Sequence, residues 1–217
     1  MSTAREFQPV SVEAYLDGEL RAKRKHEYVN GLVYQMAGAN NAHNLIAINN
    51  IVSLGPQLRS QPCQVYNSDT KVRVEKGRGT RFYYPVCLVA CNLNPSHDTF
   101  QDQPVVIIEV ISESTRRTDE QEKREAYLSL PSLQVYLLVE QSSFSTVVYR
   151  RADGDFIREV YSGFSSITPS PEVQYQLPLA ELYENVVLTA VVKEEDESFS
   201  LQPSVRLYFR VVTNAAL

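Results

Sequence analysis

The run Val105-Val106-Ile107-Ile108-Glu109-Val110-Ile111 constrains this chain more than any other segment. As a strand it is apolar on both faces, which suits a position in the middle of a sheet that is covered on each side. Glu109 interrupts it. An ionised carboxylate in such a place costs several kcal/mol unless a cation or hydrogen-bond donors meet it. The next helical stretch supplies a cation, because Lys123, Ala126, Tyr127 and Leu130 recur at helical spacing and place a lysine in the stripe that faces the sheet. A carboxylate satisfied by backbone N–H groups or an arginine, a structural Glu–Lys salt bridge and a catalytic Glu–Lys pair are all compatible with this pattern.

Around that strand the elements fall in a readable order. Ser11 caps a short helix to Glu19 whose apolar side is Val12, Tyr15 and Leu16. A turn at Asn30-Gly31 starts a strand from Gly31 to Ala37. Asn40 or Asn41 caps a longer helix with Leu45, Ile48, Ile51 and Val52 as its apolar positions, and Gly55-Pro56 is expected to bend or end it. Strands are expected at Val65, at Lys71 to Glu75 and at Val86 to Cys91. The helix carrying Lys123 has Thr118 and Gln121 at capping-box spacing, and Pro131 stops it. Val135 to Glu140, Thr146 to Arg151 and Phe156 to Tyr161 form a late β-meander, with Asp153-Gly154 as a hairpin turn. A proline-rich coil from Pro169 to Pro178 leads to a short helix at Leu179 to Tyr183. The order predicts an α+β fold, a mixed β-sheet flanked by helices, rather than regular βαβ alternation.

A chain of 217 residues, 43% hydrophobic, fits one such domain with a sizeable core. No run of eighteen apolar residues and no secretory leader pattern is present, so the expectation is a soluble cytoplasmic protein with no membrane partner. The three cysteines, Cys63, Cys87 and Cys91, show neither CxxC nor zinc-finger spacing and read as reduced core thiols. A net charge of -5 argues against adhesion to nucleic acid over the whole surface, so a DNA contact requires a local basic patch. Arg21 to Lys25, Lys71 to Arg81, and Arg116, Arg117, Lys123 and Arg124 are the candidates, each also readable as an ordinary solvated face. Tyr83 and Tyr84 could stack on a base or sugar, or simply fill a sheet.

Several motifs together resemble one family. They are His26-Glu27-Tyr28-Val29-Asn30-Gly31, Met36-Ala37-Gly38-Ala39 with His43, Ser68-Asp69, Tyr84-Pro85, and Ile108-Glu109-Val110-Ile111-Ser112 with Ser114-Thr115. Lys123, Tyr127, Pro131-Ser132, the strand Val147 to Arg150 and Leu179-Ala180-Glu181-Leu182-Tyr183 complete the set. This pattern, over about residues 8–188, resembles the Uma-two family of endonucleases, within the PD-(D/E)XK superfamily. The resemblance implies a restriction endonuclease-like core over residues 1–188 that hydrolyses DNA phosphodiesters with Mg²⁺ or Mn²⁺. It implies Glu109 and the backbone carbonyl of Val110 as metal ligands and Lys123 as the lysine that assists attack. Glu27, read as lying near the end of the first helix, is an added acidic position, and His43 is a possible auxiliary.

The chain departs from that pattern at Pro85-Val86, where the resemblance calls for Pro-Asp and the aspartate is the primary metal ligand. Valine offers no lone pair, so the expectation is impaired or absent catalysis. Three readings stay open: a degenerate nuclease, an active one in which Asp69 or Glu27 (or, less well placed, Asp98 or Asp102) replaces the missing carboxylate, and a catalytically silent module that binds nucleic acid or a protein. Residues 189–217 lie outside the resemblance. There Val205, Leu207, Phe209 and Val211 alternate with Arg206, Tyr208 and Arg210, the period of a half-buried strand, which predicts a C-terminal β-hairpin packed on the domain or on a second subunit, with a homodimer favoured.

Overall fold

β-Branched residues dominate the segments that become strands, and paired turn residues separate them. The computed structural model describes residues 8–77, 79–163, 166–167 and 175–188. In chain order its elements are α1 (Val12–Glu19), β1 (His26–Val29), β2 (Leu32–Gln35), α2 (Asn41–Leu58), β3 (Gln64–Asn67), β4 (Lys71–Lys76), β5 (Gly79–Tyr83), β6 (Cys87–Ala90), β7 (Phe100–Gln101) and β8 (Pro104–Ile111). A π-helical turn (Thr118–Lys123) then runs into α3 (Arg124–Leu128). β9 (Val135–Glu140), β10 (Ser145–Ala152), β11 (Asp155–Ser162), the short pair β12 (Ser166–Ile167) and β13 (Leu177–Pro178), and α4 (Leu179–Leu182) complete it.

Two mixed sheets form the frame, where the sequence suggested one. The larger has the order β11-β10-β9-β8-β6-β3, and the smaller β2-β1-β5-β4-β7. β8 pairs parallel with β9 and antiparallel with β6, so the apolar run does occupy the centre of a sheet. Val106, Ile108 and Val110 pack with Ile46, Leu54 and Leu58 of α2 and with Leu179 and Leu182 of α4. Ile107 and Ile111 pack on the other side with Ala126, Tyr127 and Leu130 and with Val72, Val74 and Tyr83 of the smaller sheet. Each fully buried aliphatic side chain contributes about 1.5–3 kcal/mol relative to exposure. The meander β9-β10-β11 is present in full, closed by Asp153 and Gly154 at φ 49° and 88°.

The first hairpin turns at Asn30 and Gly31, with φ of 50° and 94°. Glycine is required at position 31 twice over, since a Cβ there would also lie 2.4 Å from the Pro9 Cβ. Ser11 caps α1 through the Ala14 N–H, and Asn40 caps α2 through the His43 N–H.

Four local expectations need correction. α2 continues through Pro56 to Leu58, because the proline lies on its exposed side, where water can satisfy the carbonyl that loses its donor. Its buried face is Ile46, Asn50, Ser53 and Leu54, whereas Ile48 and Val52 are 48% and 62% exposed. Thr118 makes no capping box; Ser112 and Thr115 make a reciprocal one, each side-chain oxygen accepting from the other's N–H at 3.3 and 3.2 Å. Cys63 and Cys91 form a disulfide, because the antiparallel register of Gln64 with Ala90 sets the flanking cysteines opposite each other. Cys87 alone is a buried thiol, its pKa pushed up to about 12 by burial.

Among the described residues no helix is long and apolar enough to cross a membrane. The predicted C-terminal hairpin, residues 189–217, lies outside the described residues.

Candidate active site

Glu109 projects from the middle of β8 towards the smaller sheet and is 4% exposed. Two donors reach its Oε1: the Lys123 ammonium at 3.3 Å and the Tyr127 hydroxyl at 3.3 Å. Lys123 thus faces inward, as its helical register requires. Its ammonium also lies 2.8 Å from Glu27 Oε1 and 3.4 Å from Asp119 Oδ1, so carboxylates from three separate elements converge on one cation.

Glu27 reaches this point from β1, which follows α1 after a six-residue connection; its Oε1 also accepts the Tyr84 N–H at 3.3 Å. Sequence alone assigns no element to His26 to Val29, which is too short to show a period; pairing with β2 and β5 makes it a strand. Asp119 was missed altogether. It precedes Lys123 by four residues and Tyr127 by eight, so extending the inward stripe one turn back would have found it. The Tyr136 hydroxyl, donating to the Asp119 carbonyl at 3.0 Å, anchors the π-helical turn on which both Asp119 and Lys123 sit.

Burial is the main force on the protonation of this group. It pushes the Glu109 carboxyl up to about 8, Lys123 pulls it back, and Asp119 and Glu27 push it further up. Burial opposes the charge on Lys123, yet Glu109, Glu27 and Asp119 outweigh it and hold the ammonium well above the ordinary lysine range.

Val86 is the residue before β6 and packs in the apolar cluster of Ile108 and Val110, whereas Glu109 projects from the other face of β8. Both line a cleft of about 980 Å³ together with Glu27, Asp119, Lys123 and the backbone around Val110. His43, at the first turn of α2, also lines it; burial lowers its imidazole pKa, Asp119 acts against that and Lys123 adds to it. Arg24 and Lys25 form a basic edge of the same cleft, and Ser112, Ser114 and Thr115 a hydroxyl-bearing wall.

Other candidates lie elsewhere. Asp69 has a 71% exposed side chain tied to Lys25 at 2.6 Å, and it is not among the residues that line the cleft. Asp102 is held by the Arg73 guanidinium through two bonds of 2.7 Å, and Asp98 accepts from Asn94. None of these three carboxylates lines the cleft. Tyr83 is packed edge-on against Tyr127 at 5.6 Å, so it is a core residue and not a stacking platform. Arg116 is committed to Glu140 through two bonds of 2.7 Å.

The donor set does not fit a resident divalent metal. Among the described residues no group of three His, Cys, Asp or Glu side chains is arranged to hold one. The carboxylates are aimed at the Lys123 ammonium.

A mixed central sheet, helices on its faces and a buried acid–lysine group at the floor of a cleft define a restriction endonuclease-like protein. The family model described as "Putative restriction endonuclease", Uma2, matches residues 12–180, and the chain belongs to that family. It is 32% identical over 153 residues to the uncharacterized Synechocystis protein slr1290, a match that covers 70% of this chain and 80% of that one. A second uncharacterized Synechocystis protein, sll1609, is 27% identical over 140 residues, covering 63% and 78%. Among solved structures, the chain is similar to a crystal structure described as "a putative nuclease belonging to DUF820" from Anabaena variabilis, with a TM-score of 0.62, 16% identity and coverage of 77% of this chain and 96% of that one. At that identity the likeness concerns the fold.

Proposed function

We propose that this chain is a DNA-directed member of the nuclease family whose hydrolysis of phosphodiesters is impaired at Val86. What supports the reading is that Val86, at the position where the family resemblance calls for an aspartate, lines the same cleft as Glu109 and Lys123. The reaction needs a hard cation, and such a cation needs oxygen ligands; valine contributes none. Glu109 and the Val110 carbonyl would be the ligands that remain, with Glu27 adjacent. At the basic edge of the cleft, Arg24 carries the charge that would meet a phosphate. A second reading, a silent DNA-binding module, is favoured by that basic edge alone.

Cleavage of plasmid and single-stranded DNA with Mn²⁺ by wild type, Val86→Asp and Val86→Asp/Glu109→Gln tests the proposal. Cleavage by Val86→Asp alone is the expected result. Equal cleavage by wild type would show a complete site, and DNA retention without cleavage by any of the three would favour the binding module.

A further inference from the structure

We infer that Lys123 is the resident cation of this site: its ammonium fills the cage formed by Glu27, Glu109 and Asp119, and with valine at position 86 a divalent cation enters that cage only when Lys123 is removed. This goes beyond the nuclease reading, since it concerns occupancy of the cage with no DNA present.

The geometry is that of a coordination shell built around nitrogen. Glu27 Oε1, Glu109 Oε1 and Asp119 Oδ1 stand 2.8, 3.3 and 3.4 Å from the ammonium. These are ammonium distances, well beyond the ~2.1 Å of a magnesium–oxygen bond. The three acids come from β1, from β8 and from the π-helical turn, so they are brought together by the fold and not by sequence proximity. The side chains of Glu109, Asp119 and Lys123 are all less than a tenth exposed, so water screens these charges weakly, and among the described residues every ion pair the three acids make is with Lys123.

Competition between the two cations follows. A tethered ammonium enters the cage with no loss of translational freedom, whereas a hydrated magnesium ion must first give up tightly held waters. Val86 adds no oxygen to tip the balance towards the metal. With the ammonium deleted, three carboxylates face one another in a water-poor site, and like charges at such range repel strongly. A divalent cation that takes their oxygens as ligands removes that repulsion and therefore stabilises the fold by mass action.

The experiment uses the full chain without DNA. Mn²⁺ is titrated into wild type, Lys123→Met and Lys123→Met/Glu109→Gln, with free Mn²⁺ read by electron paramagnetic resonance and melting midpoints measured in Mn²⁺ and in EDTA. The expected result is one Mn²⁺ bound per chain and a raised midpoint for Lys123→Met, with both lost in the double variant and neither seen in wild type. Wild type binding Mn²⁺ as tightly as Lys123→Met, a folded Lys123→Met that binds none, or binding retained without Glu109 would each overturn the inference. Should Lys123→Met fold only in Mn²⁺, that rescue supports it. Should it stay unfolded in Mn²⁺, Lys123→Met/Asp119→Asn, with one fewer unpaired acid, is titrated instead, and absence of binding there overturns it. Val86→Asp/Lys123→Met separates this result from the nuclease proposal, because it is expected to bind Mn²⁺ more tightly than Val86→Asp while cutting DNA more slowly.

Discussion

The two faces of β8 solve the same burial problem in opposite ways. Towards α2 and α4 the strand presents Val106, Ile108 and Val110 to an apolar layer, and nothing there needs a partner. Towards the smaller sheet it presents Ile107 and Ile111 with Glu109 between them, and the carboxylate is met by Lys123 and Tyr127. The apolar face tolerates small changes of shape, since its contacts are many and individually weak. The charged face depends on one lysine, since removing either partner of a buried pair leaves an uncompensated charge. Stability is distributed on the first face and concentrated on the second.

The largest expected effect comes from breaking the concentrated side. Lys123→Ala strands Glu109, Glu27 and Asp119 together, and a loss of about 3–5 kcal/mol in urea-denaturation stability is expected. A loss below that of a conservative core substitution would show that the acids simply protonate and that the cage carries little strain.

Glu109→Gln sharpens the comparison through pH. The carboxyl pKa is about 8 in the folded chain against an ordinary 4.5, so between those values the folded state holds a proton that the unfolded state has released. Stability from this group is therefore highest below pH 4.5 and falls as pH rises towards 8, by at most about 1.4 kcal/mol per pH unit. Glu109→Gln is expected to flatten that slope in a series of melts, and an unchanged slope would place the proton on another group.

The smallest effect is expected on the dry face. Ile108→Val removes one methylene group from a fully buried position and is expected to cost about 0.5–1.5 kcal/mol, with no change in the pH slope. Coupling between Ile108→Val and Lys123→Ala beyond about 0.5 kcal/mol in a double-mutant cycle would show that the two faces are not independent.

Much of this contrast was legible in the sequence because it rests on local period. The unbroken apolar run marked β8 as central, and the i, i+3, i+4 recurrence around Lys123 turned the lysine towards it. The same reasoning went wrong on α2, where Ile48 and Val52 are exposed although apolar, while Asn50 and Ser53 are buried and each finds an acceptor: Asn50 donates to the Ile46 carbonyl and Ser53 to Glu181. Hydrophobicity alone assigns a face only when no polar group on the other side finds a buried partner.

By itself the sequence determined the central strand, the inward lysine, the late meander and the glycine-bearing hairpins at 31 and 154, since each depends on side-chain period or backbone conformation within a few residues. Tertiary structure alone decided that Glu27 would arrive on a strand, that Asp119 would complete the cage, that Asp69 would stay outside it, and that Cys63 would meet Cys91. Those contacts span long sequence separations, and they follow from which strands pair and in which register. That choice minimises the free energy of the whole assembly, so no short stretch of residues encodes it.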